Sequence, residues 1–283
     1  MIKLTQKSSI IVKSLIIIVL IIIAWLTVKV YKLYQAVTPN AIEYWQVSNE
    51  SSKFTISHDL WQEILRSYLI LNKEKNSHLF NYKAVTSQDK NKLSTYLTKL
   101  QAIDPRAYNK NEQLAYWINL YNALTVQLIV DHYPIKSIRG IGNGYTGPWN
   151  IPLAKIAKKS VTLNQIEHGI LRPLWQDSRI HYAINCASIG CPDLSTRPFT
   201  SLNINQQLDA MAYRFINQDK AVNFLGSTLV LSSIYDWFSD DFGHSHSDII
   251  RHLSQYAKPE LKNKLDNFSG DIKFSYNWKL NSP

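Results

Sequence analysis

Cys186 and Cys191 are the only two cysteines of the chain, separated by four residues in INCASIGCP. Three chemistries are open to such a pair. A loop this short can bring the two Cα atoms within the roughly 4.4 to 6.8 Å that a disulfide requires, with Gly190 supplying freedom, and such a bridge could be redox-active. One cysteine can instead be a thiolate nucleophile, which needs a lowered pKa, a base within hydrogen-bond reach and access to substrate. Four intervening residues also stand at the edge of the spacing used by zinc sites, but with two cysteines histidines would have to complete the set.

Two histidines stand near the pair in sequence, His168 in IEHGILRP and His181 in RIHYAIN. RIHYAIN alternates Ile180, Tyr182 and Ile184 against His181, Ala183 and Asn185, which predicts a short strand running into Cys186. On a strand His181 would lie roughly 16 Å from Cys186, too far to be its base. His168, arriving on a separate helix, has no such limit. The expected site is therefore Cys186 as nucleophile and His168 as base, with Glu167 or Asn119 orienting the imidazole. Backbone amides after Cys186 would stabilise an oxyanion. A further group, Asp241, His244, His246 and His252, reads as a solvated loop capping the next helix, with Ser247 as N-cap. No metal and no cofactor is expected.

These residues must be positioned by helices for the most part. HDLWQEILRSYLI and SQDKNKLSTYLTKLQAI, the latter with Ser87 as N-cap, show helical spacing, and NEQLAYWINLYNALTVQLIVDHY shows it most strongly before Pro134 stops it. Asn119 and Asn122 lie three apart on that helix in an apolar setting and must find partners. They either bond a neighbouring loop's backbone or meet substrate. SVTLNQIEHGILRPLW carries a capping box from Thr162 to Gln165, and His168 projects away from the Leu163, Ile166, Ile170 and Leu174 face. LDAMAYRFIN and SDIIRHLSQYAK are helical, AVNFLGSTLVLSSI predicts a hairpin turning at Gly226, and IKFSYNWKL predicts a closing strand. Gly142, Gly144 and Gly147 match G-x-G-x-x-G, yet Pro148 and Pro152 follow where a dinucleotide site needs a helix. That stretch reads as a loop with Trp149 as anchor or lid. The fold class is α+β, a helix-rich single domain around a small, mostly antiparallel sheet.

Ahead of this body, an apolar run from about Ile10 to Val30 is long enough to cross a bilayer as one helix. No small-x-small cleavage site follows it, which favours an uncleaved signal anchor over a leader. Lys3, Lys7 and Lys13 outnumber Lys29 and Lys32, so the N-terminus is expected in the cytoplasm and the body on the periplasmic side. The expected division is an anchor over 1–31, a linker over 32–56 and a globular domain over 57–283. The net charge is +10, but the first forty residues hold five lysines and no acid, leaving 26 basic against 21 acidic residues. That scattered excess gives no nucleic-acid surface, and suits a body beside an anionic membrane.

YWINLYNALTVQLI, IEHGILRP, RIHYAINCASIGCPDL, IYDWFSDDFG and YNWKLN together resemble the domain-of-unknown-function 547 family over roughly residues 57 to 281. The resemblance implies an exported protein and a cysteine and histidine site matching Glu167, His168, His181 and Cys186, with more weight on Cys186 than on Cys191. It also implies a papain-like arrangement with its order permuted, the histidine preceding the cysteine. The expected function is an extracytoplasmic thiol hydrolase or acyl transferase acting on an amide, thioester or peptide-like substrate, with Asn122, Trp149 and Asn185 contacting that substrate. The competing expectation is a non-catalytic envelope binding module in which the cysteine and histidine region is structural.

Overall fold

The computed structural model of the protein describes residues 13, 15–28, 38–142 and 147–283. Contacts divide the chain into two units, Met1–Thr38 and Pro39–Pro283. In the first, residues 15–28 are helical and their apolar side chains, Leu15 to Val28, are exposed. Among the described residues no helix is long and apolar enough to cross a membrane. Both ends of the expected anchor, and Asn143 to Thr146 of the glycine-rich loop, lie outside the described residues.

The second unit is helix-rich α+β. Helices α1 (Asp59–Tyr68) and α2 (Ser87–Gln101) lead to α3 (Lys110–His132). α3 is buried on nearly every side, from Glu112 through Ile129. A helix apolar all round belongs inside the core, and α2, the segment Gln165–Leu171 and α6 (Ile204–Ile216) pack about it. Its first turn is capped by Asn109, whose side chain accepts from the Glu112 amide. The cap of α2 is Thr86 rather than Ser87, because the Thr86 hydroxyl is the one that reaches the Asp89 amide. Ser245 likewise displaces Ser247 as cap of α9 (His246–Tyr256). The Thr162 and Gln165 box forms as expected, each side chain accepting from the other's amide.

Among the described residues the sheet content is three small pieces and not one sheet. β1 (Leu69–Asn72) pairs with β2 (Ser77–Phe80), and β3 (Ala154–Ile156) with β4 (Lys159–Val161), both antiparallel. β5 (Val222–Leu225) and β6 (Thr228–Ser232) form the expected hairpin, with Gly226 at φ +61°, the left-handed region that a tight turn demands. β7 (Ile272–Ser275) closes this sheet parallel to β6. A parallel return needs a long crossover, and four helices supply it: α7 (Ile234–Trp237), α8 (Ser239–Phe242), α9 and α10 (Pro259–Asp266).

Two expectations about local structure fail. RIHYAIN is a helical turn, α5 (Ile180–Ala183), followed by extended Ile184. Its alternation carries no strand signal because both sides are covered: Ile180, His181, Tyr182 and Ala183 are all buried. Part of the expected linker also belongs to the body. The Asn40 and Ile42 amides donate to the carbonyls of His168 and Gly169, and Trp45 is buried against Trp117.

Candidate active site

Gln165–Leu171 winds as a π-helix and passes directly into α4 (Arg172–Trp175). The wider winding changes which side chains point inward, and π segments recur at functional sites. Glu167, His168 and Arg172 are all buried here, so His168 does not project to the outside as a 100° period would have it. Arg172 Nε and His181 Nε2 both donate to the same oxygen of Asp241, at 2.5 and 2.6 Å. Arg172 Nη1 donates to His168 Nδ1 at 2.9 Å.

That last bond decides the state of His168. A guanidinium can only donate, so Nδ1 must accept and the ring proton sits on Nε2. Burial, and then the positive charge of Arg172, push the imidazole down to about 3. His168 is therefore a neutral ring whose outer nitrogen donates. His181 is lowered as well, burial outweighing its Asp241 partner. Glu167 goes the other way: burial pushes its carboxyl up to about 7, against the opposing pull of Arg172 and a 3.1 Å hydrogen bond from Tyr121.

The cysteines sit on the loop after α5. Cys186 is half-buried and Cys191 buried, both as free thiols, with sulfurs 2.8 Å apart. Cys186 Sγ also lies 3.3 Å from Ser188 Oγ and 3.0 Å from Tyr276 Oη, and those two hydroxyls are 2.8 Å from each other. Burial works against ionising Cys186, but hydrogen bonds from Cys191, Ser188 and Tyr276, together with the Ser188 amide, prevail and bring it down to about 7. Cys191 is pushed well up, by burial and by its neighbour's charge.

The expected pairing of Cys186 with His168 is not what the fold builds. No hydrogen bond joins Cys186 to His168 or His181 among the described residues; each imidazole is engaged in the Arg172 and Asp241 cluster. Proton transfer from a thiol near 7 to an imidazole near 3 would also be uphill by roughly 5 kcal/mol. The amides after Cys186 are likewise committed. Ala187 N–H donates to Asn185 Oδ1, Ile189 to Lys279 O, Gly190 to Asn277 O and Cys191 to Ser188 O.

The three asparagines hold this loop from below. Asn119 exchanges two hydrogen bonds with the Phe199 backbone, at 2.7 and 3.1 Å, and makes none to an imidazole. Asn122 donates to Ala183 O and accepts from the Asn185 amide, which ties α3 to both ends of the turn before Cys186. Asn185 donates to Pro192 O at 2.6 Å and keeps Ala187 at φ +57°, a left-handed conformation unusual for alanine. All three side chains are buried and bonded to backbone, Asn122 and Asn185 at the cysteine loop and Asn119 at Phe199, so they act as positioning residues. Gly190 is needed for space, not for torsion: a Cβ there would stand 2.8 Å from the Asn277 nitrogen. Below Cys191, Lys220 donates to its carbonyl at 2.6 Å and to Asp193 at 2.7 Å, and Arg214 and Gln218 complete the buried Asp193 clamp.

An aromatic rim surrounds the thiol. Tyr276 packs on Trp237 and Trp278, Trp278 meets Trp149 edge to face, and Arg139 lies 5.2 Å over the Trp278 ring. Phe238 stacks on His181 at 4.5 Å, with Arg172 over its ring at 4.8 Å, and links the rim to the charged cluster. Tyr276, Ser188, Arg172 and Asp241 have roles that spacing did not reveal. The aromatic and acidic blocks IYDWFSDDFG and YNWKLN, which hold Asp241 and Tyr276, were the available signal. The Asp241, His244, His246 and His252 set does not converge: Asp241 faces Arg172, His244 is exposed, and His252 bonds Tyr182. Among the described residues no three histidine, cysteine or acidic side chains group as metal ligands, the two cysteines included.

Residues 105–216 match the family model described as protein of unknown function, DUF547. Over that segment the resemblance to the DUF547 family is borne out. The match is shorter than the 57 to 281 span of the sequence resemblance. It takes in α3, the π-helix and both cysteines, while Trp237, Asp241, Tyr276 and Trp278 lie beyond the DUF547 segment. No curated protein and no solved structure matches the chain.

Proposed function

We propose that the protein is a thiol-dependent hydrolase or acyl transferase whose nucleophile is Cys186. The observation that carries this is a sulfur on a half-buried residue within hydrogen-bond distance of the Cys191 thiol and the Ser188 and Tyr276 hydroxyls, whose hydrogen bonds bring its ionisation down to about 7. Thiolates stabilised in this way are the reactive ones. Attack on an acyl carbon would form a thioester at Cys186. The Tyr276 and Ser188 hydroxyls, beside the sulfur, are the nearest donors to the developing oxyanion. Glu167, whose carboxyl is poised near 7 and senses charge at Cys186, replaces His168 as the proton carrier for the leaving group. His168, a fixed Nε2–H donor, orients and does not abstract. The proposal does not require a papain-like arrangement, since Cys186 heads a loop and not a helix.

The same proposal places this chemistry on the periplasmic side of an inner-membrane anchor. The apolar run from about Ile10 to Val30, the exposed apolar side chains of residues 15–28 and the lysine asymmetry support that location. A substrate there would be a small molecule or a peptide-like acyl donor. The test is acylation of the full chain by a panel of activated thioesters and esters at neutral pH, followed by mass mapping. A single acyl group on Cys186, lost in Cys186→Ser and reduced in Glu167→Gln, is the expected result. Equal acylation of native and denatured protein would instead favour a non-catalytic envelope module with a structural cysteine loop.

A further inference from the structure

The acyl-transfer proposal leaves Cys191 with no part beyond a hydrogen bond, yet the fold takes trouble to place it. We propose that Cys186 and Cys191 also act as an attacking and a resolving thiol, exchanging electrons with an accessible disulfide. The juxtaposition is specific. The sulfurs are 2.8 Å apart, and the Cys186 amide donates to Cys191 Sγ at 2.8 Å, so the second sulfur lies directly over the residue bearing the first. One thiol is half-exposed while the other is buried at 5% exposure. An incoming disulfide can therefore be met only by Cys186.

The loop between them is pinned on both sides. Ile189 and Gly190 donate to the backbone of the tail after β7, at 2.8 and 2.9 Å. Lys220, itself paired with Asp193, grips the Cys191 carbonyl. A resolving sulfur held this way acts at a high effective concentration without a conformational search. The neighbours of the pair are also right for exchange and less so for hydrolysis. Two hydroxyls and a thiol stabilise a thiolate, and among the described residues no imidazole is hydrogen-bonded to the sulfur to activate water.

The Cys186 thiolate attacks one sulfur of a substrate R–S–S–R′, forming Cys186–S–S–R and expelling R′–S⁻. Cys191 gives its proton to that departing thiolate or to solvent. Its sulfur then attacks Cys186 Sγ, closing the Cys186–Cys191 disulfide and releasing R–S⁻. The dithiol loses two electrons and the substrate disulfide gains them. Two equivalents of an external thiol reverse the sequence.

This inference rests on Cys186 being the nucleophile, and the experiment separates the two claims. The reduced full chain is mixed with oxidised glutathione, and in a second arm with insulin as a protein disulfide, and intact mass is followed with time. Wild type is expected to pass through a one-glutathione adduct to a form lacking two hydrogens. Cys191→Ser and Cys191→Ala are expected to stop at the adduct, which persists roughly a hundredfold longer, and Cys186→Ser to do neither. Reaction in one arm alone identifies the disulfide as small or protein-borne. If wild type and the Cys191 variants hold the adduct equally long while thioesters still acylate Cys186, the exchange is refuted and the acyl chemistry stands. If Cys186 reacts with neither probe faster than unfolded chain, both proposals fall.

Discussion

Removing one hydroxyl from the sulfur should move its ionisation by a measurable amount. Tyr276→Phe keeps the ring against Trp237 and Trp278 and deletes only the oxygen 3.0 Å from Cys186 Sγ. A hydrogen bond to a charged group contributes about 1.5 to 3 kcal/mol, and one pKa unit corresponds to about 1.4 kcal/mol. The lower end applies, because the Ser188 hydroxyl, already 3.3 Å from the sulfur, remains and can tighten once its 2.8 Å Tyr276 partner is gone. The expected shift is therefore about one unit upward from about 7. At pH 7 the thiolate fraction would fall from about one half to about one tenth, a roughly fivefold loss of alkylation rate. The assay is the pH profile of iodoacetamide labelling at Cys186 in a Cys191→Ser background and in wild type. In both, the midpoint should rise on Tyr276→Phe, and adding Ser188→Ala should raise it further. A midpoint that stays put or falls would show that hydroxyl donation does not hold the sulfur ionised, and the case for a neutral-pH nucleophile would go with it.

Glu167 gives a stability signature of opposite sign. Its folded pKa is raised from 4.5 to about 7, so the folded state holds the proton more tightly, and this contribution is full below 4.5 and lost as pH rises through 7. Chemical denaturation of Glu167→Gln against wild type should show the variant gaining about 3 kcal/mol relative to wild type between pH 4.5 and 8; a constant difference across that window would contradict the assignment. Asn122→Ala strands the Ala183 carbonyl and the Asn185 amide. It should cost about 3 kcal/mol, or roughly 6 to 12 °C in Tm, whereas a loss under one degree would mean that the loop is held by other contacts. Arg172→Met should destabilise the fold by about 3 to 5 kcal/mol by leaving Asp241 with His181 alone. In the folded fraction it should let His168 titrate higher, as seen by NMR of the ring protons, though still below the ordinary histidine value because burial persists.

Much of the scaffold is legible in the linear chain because its causes are local. Helical spacing marks α2, α3, α6 and α9. The Thr162 and Gln165 box marks the start of the π-helix, and Gly226 between two apolar runs marks the β5 and β6 hairpin. The same locality explains the failures. The α5 turn is buried on both sides and so leaves no period to read, and neighbouring hydroxyls at Thr86 and Ser87 compete for one cap that only geometry awards.

The cysteine pair stood out as the candidate chemical centre from residue type and spacing alone, since thiol chemistry depends on atoms the sequence names outright. What those thiols and imidazoles do was decided by partners brought from afar. Tyr276 stands ninety positions beyond Cys186 and reaches it only because β7 returns parallel to β6, while Asp241 meets His181 across sixty positions. Proton affinity is set by burial and by the charges and donors within a few ångströms, and those distances exist only once the chain has folded. The sequence thus determined which side chains are capable of reactivity, and the tertiary structure decided that Cys186 answers to hydroxyls and a second thiol while His168 answers to Arg172.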